Sequence, residues 1–268
     1  MADGPTSGSL LISDRRAEQI VDSVERVLNA AGIPCVLWGH FLWATHGVPT
    51  YIPQLDLVVP DASLATASKA MTAGRFSPPL VACPDPTACL DGSHPDRKHP
   101  HTAFHMHIEG TTPTRAVPCV CLYLQSETLW FLPLFSPALA SPRTCRLPPY
   151  LALACDRTAL PPDEIGMGRG AFLSDQTVVL VPKAHILTEA LMRIFARDSA
   201  KKVGAWAGAH FAYIITYVHD LGFLDVDLMP EPLANFYKEY KAGLTGYGDI
   251  TLRLKRTLGV PLLEEHYR

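Results

Sequence analysis

Several familiar catalytic signatures are missing from this chain of 268 residues. It has no P-loop, no GxSxG nucleophile turn, no GxGxxG dinucleotide fingerprint and no HExxH zinc motif. These absences exclude most P-loop nucleotide hydrolases, α/β-type serine hydrolases, dinucleotide-dependent enzymes and HExxH metalloproteases. No apolar run reaches the roughly 20 residues that a membrane-spanning helix needs, so the sequence predicts no membrane association.

Charged residues are scarce and nearly balanced. They make up 18% of the chain, with 23 Lys and Arg against 26 Asp and Glu, which gives a formal net charge of -3. A protein that coats nucleic acid carries a strong basic excess, so the composition argues against that class. A local basic patch is still compatible with this balance.

The seven cysteines form no CxxC pair, and their number is odd. The first residues also lack the basic stretch followed by an apolar core that is typical of a secretory signal. We therefore expect reduced thiols that pack as small hydrophobic side chains in a cytoplasmic protein. The cysteines are Cys35, Cys83, Cys89, Cys119, Cys121, Cys145 and Cys155.

Hydrophobic residues make up 48% of the chain, which is enough for a large core. Between residues 13 and 31 they recur every three or four positions, which predicts an amphipathic helix that begins after Ser13. The first half otherwise has strand-like patterns, and the second half is helical from Lys183. The sequence thus predicts an α/β (α+β) fold with a mixed sheet, flanking helices and a helical C-terminal part. The segments predicted as strands are 35–38, 54–60, 104–109, 117–125 and 129–132.

This organisation predicts four parts along the chain. A Gly- and Ser-rich arm at 1–12 precedes an α/β domain at 13–135. A Pro-rich connection at 136–175, expected to be extended, leads to a helical subdomain at 176–268.

The most informative segment, 38–60, reads WGHFLWATHGVPTYIPQLDLVVP. A predicted strand ends at Gly39, a short helix follows, and a second strand carries Gln54 and Asp56 on one face. This arrangement resembles the nucleotidyltransferase superfamily of the polymerase-β type. The resemblance implies that the turn at Gly39 and His40 contacts phosphate or its equivalent. It also implies that Asp56 binds a divalent metal such as Mg²⁺ or acts as a base.

Two positions depart from the pattern of that superfamily. His40 stands where its members have a serine, and Gln54 stands where they have the first of two acidic residues. A glutamine carbonyl is a weaker ligand for Mg²⁺ than a carboxylate, so the metal-binding pair is depleted and Gln54 is expected to contact the ligand. The alternative is an ordinary strand–helix–strand unit with Asp56 solvated at an edge of the sheet.

A second resemblance lies in the segment VPKAHILTEALMRIFARDSAKKV. The spacing of Lys183, Arg193 and the pair at 197–198 is similar to a helix of bacterial nucleotidyltransferase-like proteins, including toxin-type enzymes of abortive-infection systems. The resemblance implies that Lys183 and Arg193 neutralise anionic charge, in a hollow shared with Gly39 and Asp56. The alternative is an amphipathic helix with a solvated basic side. Looser similarity to uncharacterised fungal proteins of nucleotidyltransferase-like type covers 32–61, 119–133 and 178–225.

Histidines are concentrated between residues 94 and 107. His105 and His107 lie two apart on a predicted strand, so their rings share one face, and Glu109 continues it. Imidazoles with a carboxylate suit Zn²⁺, Fe²⁺ or Ni²⁺, and together with Asp56 they suit acid–base catalysis near neutral pH. The alternative is a hydrogen-bonded core histidine with solvated loop histidines, which are His94, His99 and His101.

These residues leave three functions open. The first is a divergent nucleotidyltransferase-fold protein that binds a nucleotide-like or small-molecule ligand, or runs an altered transfer reaction. The second is a small-molecule-forming enzyme of fungal specialised metabolism, tRNA-dependent in one version, that uses His105, His107, Glu109 and Asp56 for proton transfer. The third is a non-catalytic interaction module.

Overall fold

The structure, a computed structural model, describes residues 13–83, 102–109, 119–164, 166–244 and 247–259. Within them a five-stranded mixed sheet and a two-stranded sheet pack against helices, and the chain is mainly helical after the second sheet. The predicted α/β (α+β) fold, with a mixed sheet, flanking helices and a helical C-terminal part, is confirmed. The predicted arm, Cys89 and the histidines at 94, 99 and 101 lie outside the described residues.

The first helix, α1, spans Asp14–Ala30, where the apolar period predicts it. It ends before Gly32, whose φ of +72° lies in the left-handed region that stops a helix. Its apolar stripe is fully covered by the rest of the protein. The buried hydrophobic residues of this helix are Ala17, Ile20, Val21, Val24 and Leu28.

The main sheet has the strand order β1-β2-β5-β4-β3. β1 is antiparallel to β2, β2 is parallel to β5, and β4 is antiparallel to both β5 and β3. This mixture places β2 and β5, the two longest strands that are buried on both faces, next to each other. The strands are β1 Val36–Trp38, β2 Leu55–Val59, β3 Leu80–Ala82, β4 Thr102–Ile108 and β5 Cys119–Leu124.

Three helices connect or follow these strands. α2 spans Gly39–Thr45, α3 spans Leu64–Ala73, and the short α4 spans Gln125–Thr128. The strand predicted at 129–132 is wrong, because this stretch is a turn that follows α4. The side chain of Gln125 fixes it by bonding the carbonyl of Pro133 and the N–H of Phe135.

The Pro-rich stretch is less extended than the sequence predicts. It contains the strand β6, Leu151–Leu153, which pairs antiparallel with β7, Leu180–Pro182. Carboxyl groups of Glu18, Asp22 and Glu25 on α1 accept hydrogen bonds from backbone N–H groups within 174–180. One face of α1 therefore holds the segment that leads into β7.

The C-terminal part is helical, as predicted. A π-helical turn over Ile215–His219 continues the second of its helices, and the first helix packs against the second and the last. No helix among the described residues combines the length and apolar character that a bilayer crossing requires. The helices are α5 Ala184–Arg197, α6 Lys202–Ile214, α7 Glu231–Lys241 and α8 Tyr247–Leu258.

Buried hydrophobic residues from the sheet and from the C-terminal helices belong to one cluster. β1 also contacts β7, so the two sheets meet inside this cluster. The division of the chain into an α/β domain that ends at residue 135 and a helical subdomain that begins at residue 176 stays a prediction.

Candidate functional site

The turn glycine and the acidic residue singled out in the sequence are in contact. Strand pairing places Trp38 opposite Asp56, so Gly39 begins α2 directly beside the carboxyl group of Asp56. Gly39 has a φ of +65°, and a Cβ at this position would overlap Oδ2 of Asp56. Only glycine combines this backbone conformation with so close an approach.

Asp56 is fully buried, with 0% of its surface exposed, and is therefore not solvated at a sheet edge. The side-chain amide of Gln54 donates hydrogen bonds to Oδ1 of Asp56 at 2.7 Å and to the hydroxyl of Tyr123 at 3.0 Å. Gln54 therefore places a neutral hydrogen-bond donor beside Asp56, where another carboxylate would repel it. Gln54 is itself half-buried, and its accessible side lines a cavity.

On that side lies a cavity of about 680 Å³, here called the aromatic cavity. Its walls are formed by α2 with the connection that leads to β2, and by one face of α6. His40 and Gln54, both predicted to contact a ligand, are among its lining residues. The full lining of described residues is His40, Pro49, Thr50, Tyr51, Pro53, Gln54, Trp206, Ala209, His210 and Tyr213.

The α6 side of the cavity was not predicted as part of a site. Trp206, His210 and Tyr213 follow one another at intervals of four and three residues, so they share one helix face. The same interval is typical of a core-facing stripe, which is how the sequence is most simply interpreted. Tyr213 is nevertheless 47% exposed, so this side chain does not belong to the buried core.

The rings of the cavity pack against one another. His210 stacks on Trp43 with ring centroids 3.7 Å apart, and its Nδ1 lies 2.7 Å from the carbonyl oxygen of Trp206. Burial lowers the pKa of His210 to about 4, so its imidazole is neutral at pH 7. His40 contacts both Trp43 and Tyr51 through its ring, and its Nδ1 lies 3.1 Å from Oγ1 of Thr50.

None of the described residues that line the aromatic cavity is an Asp, Glu, Lys or Arg. A polyphosphate carries several negative charges and binds where cations or convergent backbone N–H groups face it. A planar, uncharged or weakly charged molecule instead gains from stacking on exposed aromatic rings. The composition of the described walls favours the second kind of ligand.

The two basic residues expected in the shared hollow do not line the aromatic cavity. Lys183 lies immediately before α5, with its backbone N–H bonded to Tyr150. Arg193 forms an ion pair with Glu189 at 2.6 Å, and its guanidinium lies 4.8 Å from the ring centre of Phe131. The structure therefore brings Gly39 and Asp56 together but places Lys183 and Arg193 elsewhere.

Arg197, the other arginine of α5, also forms packing contacts and does not line the aromatic cavity. Arg197 pairs with Asp198 at 2.7 Å, donates to the carbonyl of Glu127 and lies over the ring of Trp130. Such contacts fasten α5 to the turn after β5. Sequence spacing alone does not separate a helix-packing arginine from a ligand-binding one.

The predicted histidine pair lies elsewhere on the main sheet. Cys121 pairs with Asp56 on one side and with His105 on the other, so the acid and the histidine are two strands apart in one row. Neither histidine lines the aromatic cavity. Glu109 is exposed after the end of β4, with its N–H bonded to Pro79.

A cysteine that the sequence does not single out joins the two histidines. One ligand atom each from Cys83, His105 and His107 lies within 4.8 Å of the others. Cys83 directly follows β3, the neighbour of β4 at the edge of the sheet. The structure thus separates two candidate sites, the aromatic cavity and this cysteine–histidine cluster.

Comparisons of this chain with protein-family models, with curated proteins and with solved structures gave no match. What the chain does must therefore be inferred from its own geometry, of which the aromatic cavity and the hydrogen-bonded pair of Gln54 and Asp56 are the central features.

Proposed function

We propose that this chain is a divergent nucleotidyltransferase-like protein that binds a planar, uncharged or weakly charged ligand in the aromatic cavity. The ligand class is a nucleobase, a nucleoside or a small molecule of similar shape. The observation that carries this proposal is the cavity of about 680 Å³ with its aromatic and uncharged described walls. A volume in this range suits a ligand of nucleoside to drug size.

The nucleotidyltransferase-like assignment is supported by the contact between Gly39 and Asp56. The sequence resemblance implies a turn glycine after one strand and an acidic residue on the next, and these two groups are neighbours in the fold. The contact does not require transfer chemistry. It supports a backbone arrangement of the nucleotidyltransferase-like kind that serves ligand binding.

Gln54 gives the cavity one oriented polar group. Both bonds of its amide nitrogen go to acceptors, the carboxyl oxygen of Asp56 and the hydroxyl of Tyr123. The amide is therefore not free to flip, since flipping would aim its oxygen at another oxygen. Within the described residues the amide oxygen of Gln54 accepts no hydrogen bond, so it is available for an N–H or O–H donor of the ligand.

Binding without nucleotidyl transfer follows from the same residues. Metal-dependent transfer uses carboxylates that reach the ion and the phosphates together. Asp56 is enclosed by Gly39 and Gln54, and the first of the two acidic positions is occupied by this glutamine. The residues that would neutralise a triphosphate, Lys183 and Arg193, lie outside the cavity lining.

A matched ligand series tests this proposal. Adenine, adenosine, AMP and Mg-ATP are titrated against the full chain, together with the guanine and cytosine series, and binding is followed by Trp fluorescence and thermal shift. We expect affinity to fall as phosphates are added, because no described lining residue compensates their charge. A ligand that binds only the folded state raises the melting temperature, and at equal concentration a tighter ligand raises it more.

Two outcomes of this series contradict the proposal. The first is tighter binding of Mg-ATP than of adenosine, which would indicate a triphosphate site. The second is an absence of binding by every nucleobase, nucleoside and planar heterocycle at millimolar concentration.

Substitutions locate the binding in the cavity. Tyr213→Ala removes a ring that is half exposed, so we expect at least about tenfold weaker binding with little change in stability. Tyr213→Phe keeps the ring and is expected to bind like the original chain. Leu173→Ala, also at an exposed apolar side chain but outside the cavity lining, is the control. Equal affinity of Tyr213→Ala and Leu173→Ala would place the ligand elsewhere.

A further inference from the structure

A second set of side chains, separate from the aromatic cavity, brings together ligands for a metal ion. Cys83 directly follows β3, His105 and His107 lie on β4, and one ligand atom from each of the three is within 4.8 Å of the others. His105 is buried, whereas Cys83 and His107 are half-buried. An ion in this position would therefore be reached from solvent and partly enclosed by protein.

Strand pairing explains why the three residues meet. β3 and β4 are antiparallel with Val81 opposite His107, and side chains two apart on a strand share a face. The same register carried two residues further places Cys83 beside His105. The two imidazole rings stand at right angles with centroids 5.3 Å apart, so both nitrogens can approach one point between them.

The donor set selects among metals. Thiolate and imidazole are soft or borderline ligands that favour Zn²⁺, whereas Mg²⁺ prefers hard oxygen ligands. Zinc in tetrahedral geometry holds its nitrogen and sulfur ligands roughly 3.3–3.6 Å apart, as its bond lengths of about 2.0–2.3 Å require. The ligand atoms of the cluster lie within 4.8 Å of one another. Side-chain rotations that shorten the longest of these distances by about 1 Å bring the atoms to the spacing found around a tetrahedral zinc ion.

The position of the cluster suggests what the metal does for the fold. β3 has three residues, of which only Leu80 is buried, so apolar packing holds this edge strand weakly. A metal bound by Cys83, directly after β3, and by two histidines on β4 would fasten the edge of the sheet. Metal binding of this kind contributes to folding because the site does not exist in the unfolded chain.

We propose that Cys83, His105 and His107 bind one zinc ion that fastens β3 to β4. The Cys83 thiol binds as thiolate and releases its proton to solvent when the ion binds. The three side chains fill three positions of a tetrahedral ion, and water fills the fourth unless another group reaches it. This site is independent of the aromatic cavity and of the function proposed for it.

The test begins with the full chain. Elemental analysis after purification in zinc-supplemented medium is expected to give stoichiometric zinc, and addition of zinc to the chelator-treated protein is expected to raise its melting temperature. Cobalt replaces zinc and reports its ligands, so we expect a thiolate-to-cobalt charge-transfer band. Mg²⁺ at the same concentration is expected to have no effect on the melting temperature.

Variants assign the ligands. Cys83→Ala and His107→Ala change half-buried positions, and each is expected to weaken zinc affinity at least about tenfold and to reduce the zinc-dependent thermal shift. Cys83→Ala is also expected to lose the cobalt–thiolate band. Cys145→Ala, which removes another half-buried free thiol, is the matched control and should behave like the original chain.

Three results would overturn the proposal. They are a chain that takes up no zinc at saturating metal, a Cys83→Ala variant that keeps its zinc affinity and its cobalt band, or a Cys145→Ala variant that loses both. The cobalt spectrum of the unsubstituted chain keeps the proposal testable even where a variant fails to fold, since absence of a thiolate band there excludes Cys83 as a ligand.

Discussion

Gln54 donates its side-chain amide to the buried carboxyl group of Asp56 at 2.7 Å, in the position where a nucleotidyltransferase-like pattern has the first of its two carboxylates. This hydrogen bond distinguishes a metal-binding pair of carboxylates from an amide–carboxyl pair that needs no metal. A carboxylate pair would need a cation or a shared proton, whereas an amide–carboxyl pair is complete without either. The same bond orients the amide oxygen that the proposed ligand meets.

Replacement of this glutamine tests the relationship directly. In Gln54→Glu, a half-buried carboxyl group lies beside the buried carboxyl group of Asp56, and the two cannot both ionise cheaply, so the folded-state pKa of one of them rises. Stability relative to the original chain is then close to normal in acid and is lost as the pH rises above about 4.3, the usual glutamic acid value, with a cost of about 2–4 kcal/mol at pH 7. Urea unfolding at several pH values measures this.

Gln54→Met is the matched control for that experiment. It removes the hydrogen bond without adding a charge, so it should cost about 1–3 kcal/mol with little dependence on pH. Mn²⁺ or Mg²⁺ should not restore Gln54→Glu, because Asp56 is enclosed. Recovery of its stability by either ion would instead support a metal site in this position.

Gly39→Ala is expected to be strongly destabilising. Gly32→Ala provides the matched comparison, since both glycines have positive φ values, +65° and +72°, but a Cβ at Gly32 meets no atom within 4 Å. Backbone strain should cost each variant about 1–2 kcal/mol. The overlap with Asp56 should cost Gly39→Ala at least about 2 kcal/mol more. Equal free energies of unfolding for the two variants would show that the contact has no energetic importance.

A buried ion pair fastens α1 to the Pro-rich connection. Arg169 lies 2.9 Å from Glu18, and both residues are buried. Arg169→Met should cost about 3–5 kcal/mol because it leaves the Glu18 carboxylate without its cation. The double variant Arg169→Met/Glu18→Leu should recover part of that loss, and Arg26→Met at the exposed pair with Asp22 should cost about 1 kcal/mol or less. A double variant no more stable than Arg169→Met would contradict this account.

His46 should make the fold sensitive to acid. It is fully buried with Nε2 2.9 Å from the carbonyl oxygen of Pro182, and burial lowers its pKa from 6.5 to about 4. The unfolded chain takes up a proton first as the pH falls, so stability is fully present above pH 6.5 and is lost between 6.5 and about 4. The loss attributable to this group is of the order of 3 kcal/mol.

The variant His46→Gln removes the titrating group and keeps an N–H donor for Pro182. Its unfolding free energy should change less than that of the original chain between pH 6.5 and 4, the interval set by the lowered pKa of His46. His210, whose pKa is also lowered to about 4, titrates in both proteins and cancels in the comparison. Parallel pH profiles for the two proteins would show that His46 does not titrate differently on unfolding.

Elements with a strong local period were predictable from the sequence. The stripe of α1, the alternation around Asp56 and the shared face of His105 and His107 depend on residues close together in the chain, and all three occur in the structure. The strand predicted at 129–132 failed because Gln125, several residues earlier, bonds the backbone on both sides of the following turn. An apolar run by itself does not show such a bond.

By itself, the sequence determined the α/β class and the helical second half, because helix and strand periods are local properties of the chain. That Gly39 lies against the strand carrying Asp56 was only implied by a resemblance, and the pairing of β1 with β2 establishes it. Only the tertiary structure decided which distant side chains meet. Pairing of β3 with β4 brings Cys83 to the histidine pair, and packing of α6 against the α2–β2 connection closes the aromatic cavity. Those contacts depend on how strands and helices pack across long stretches of sequence, and burial of the shared core sets that packing.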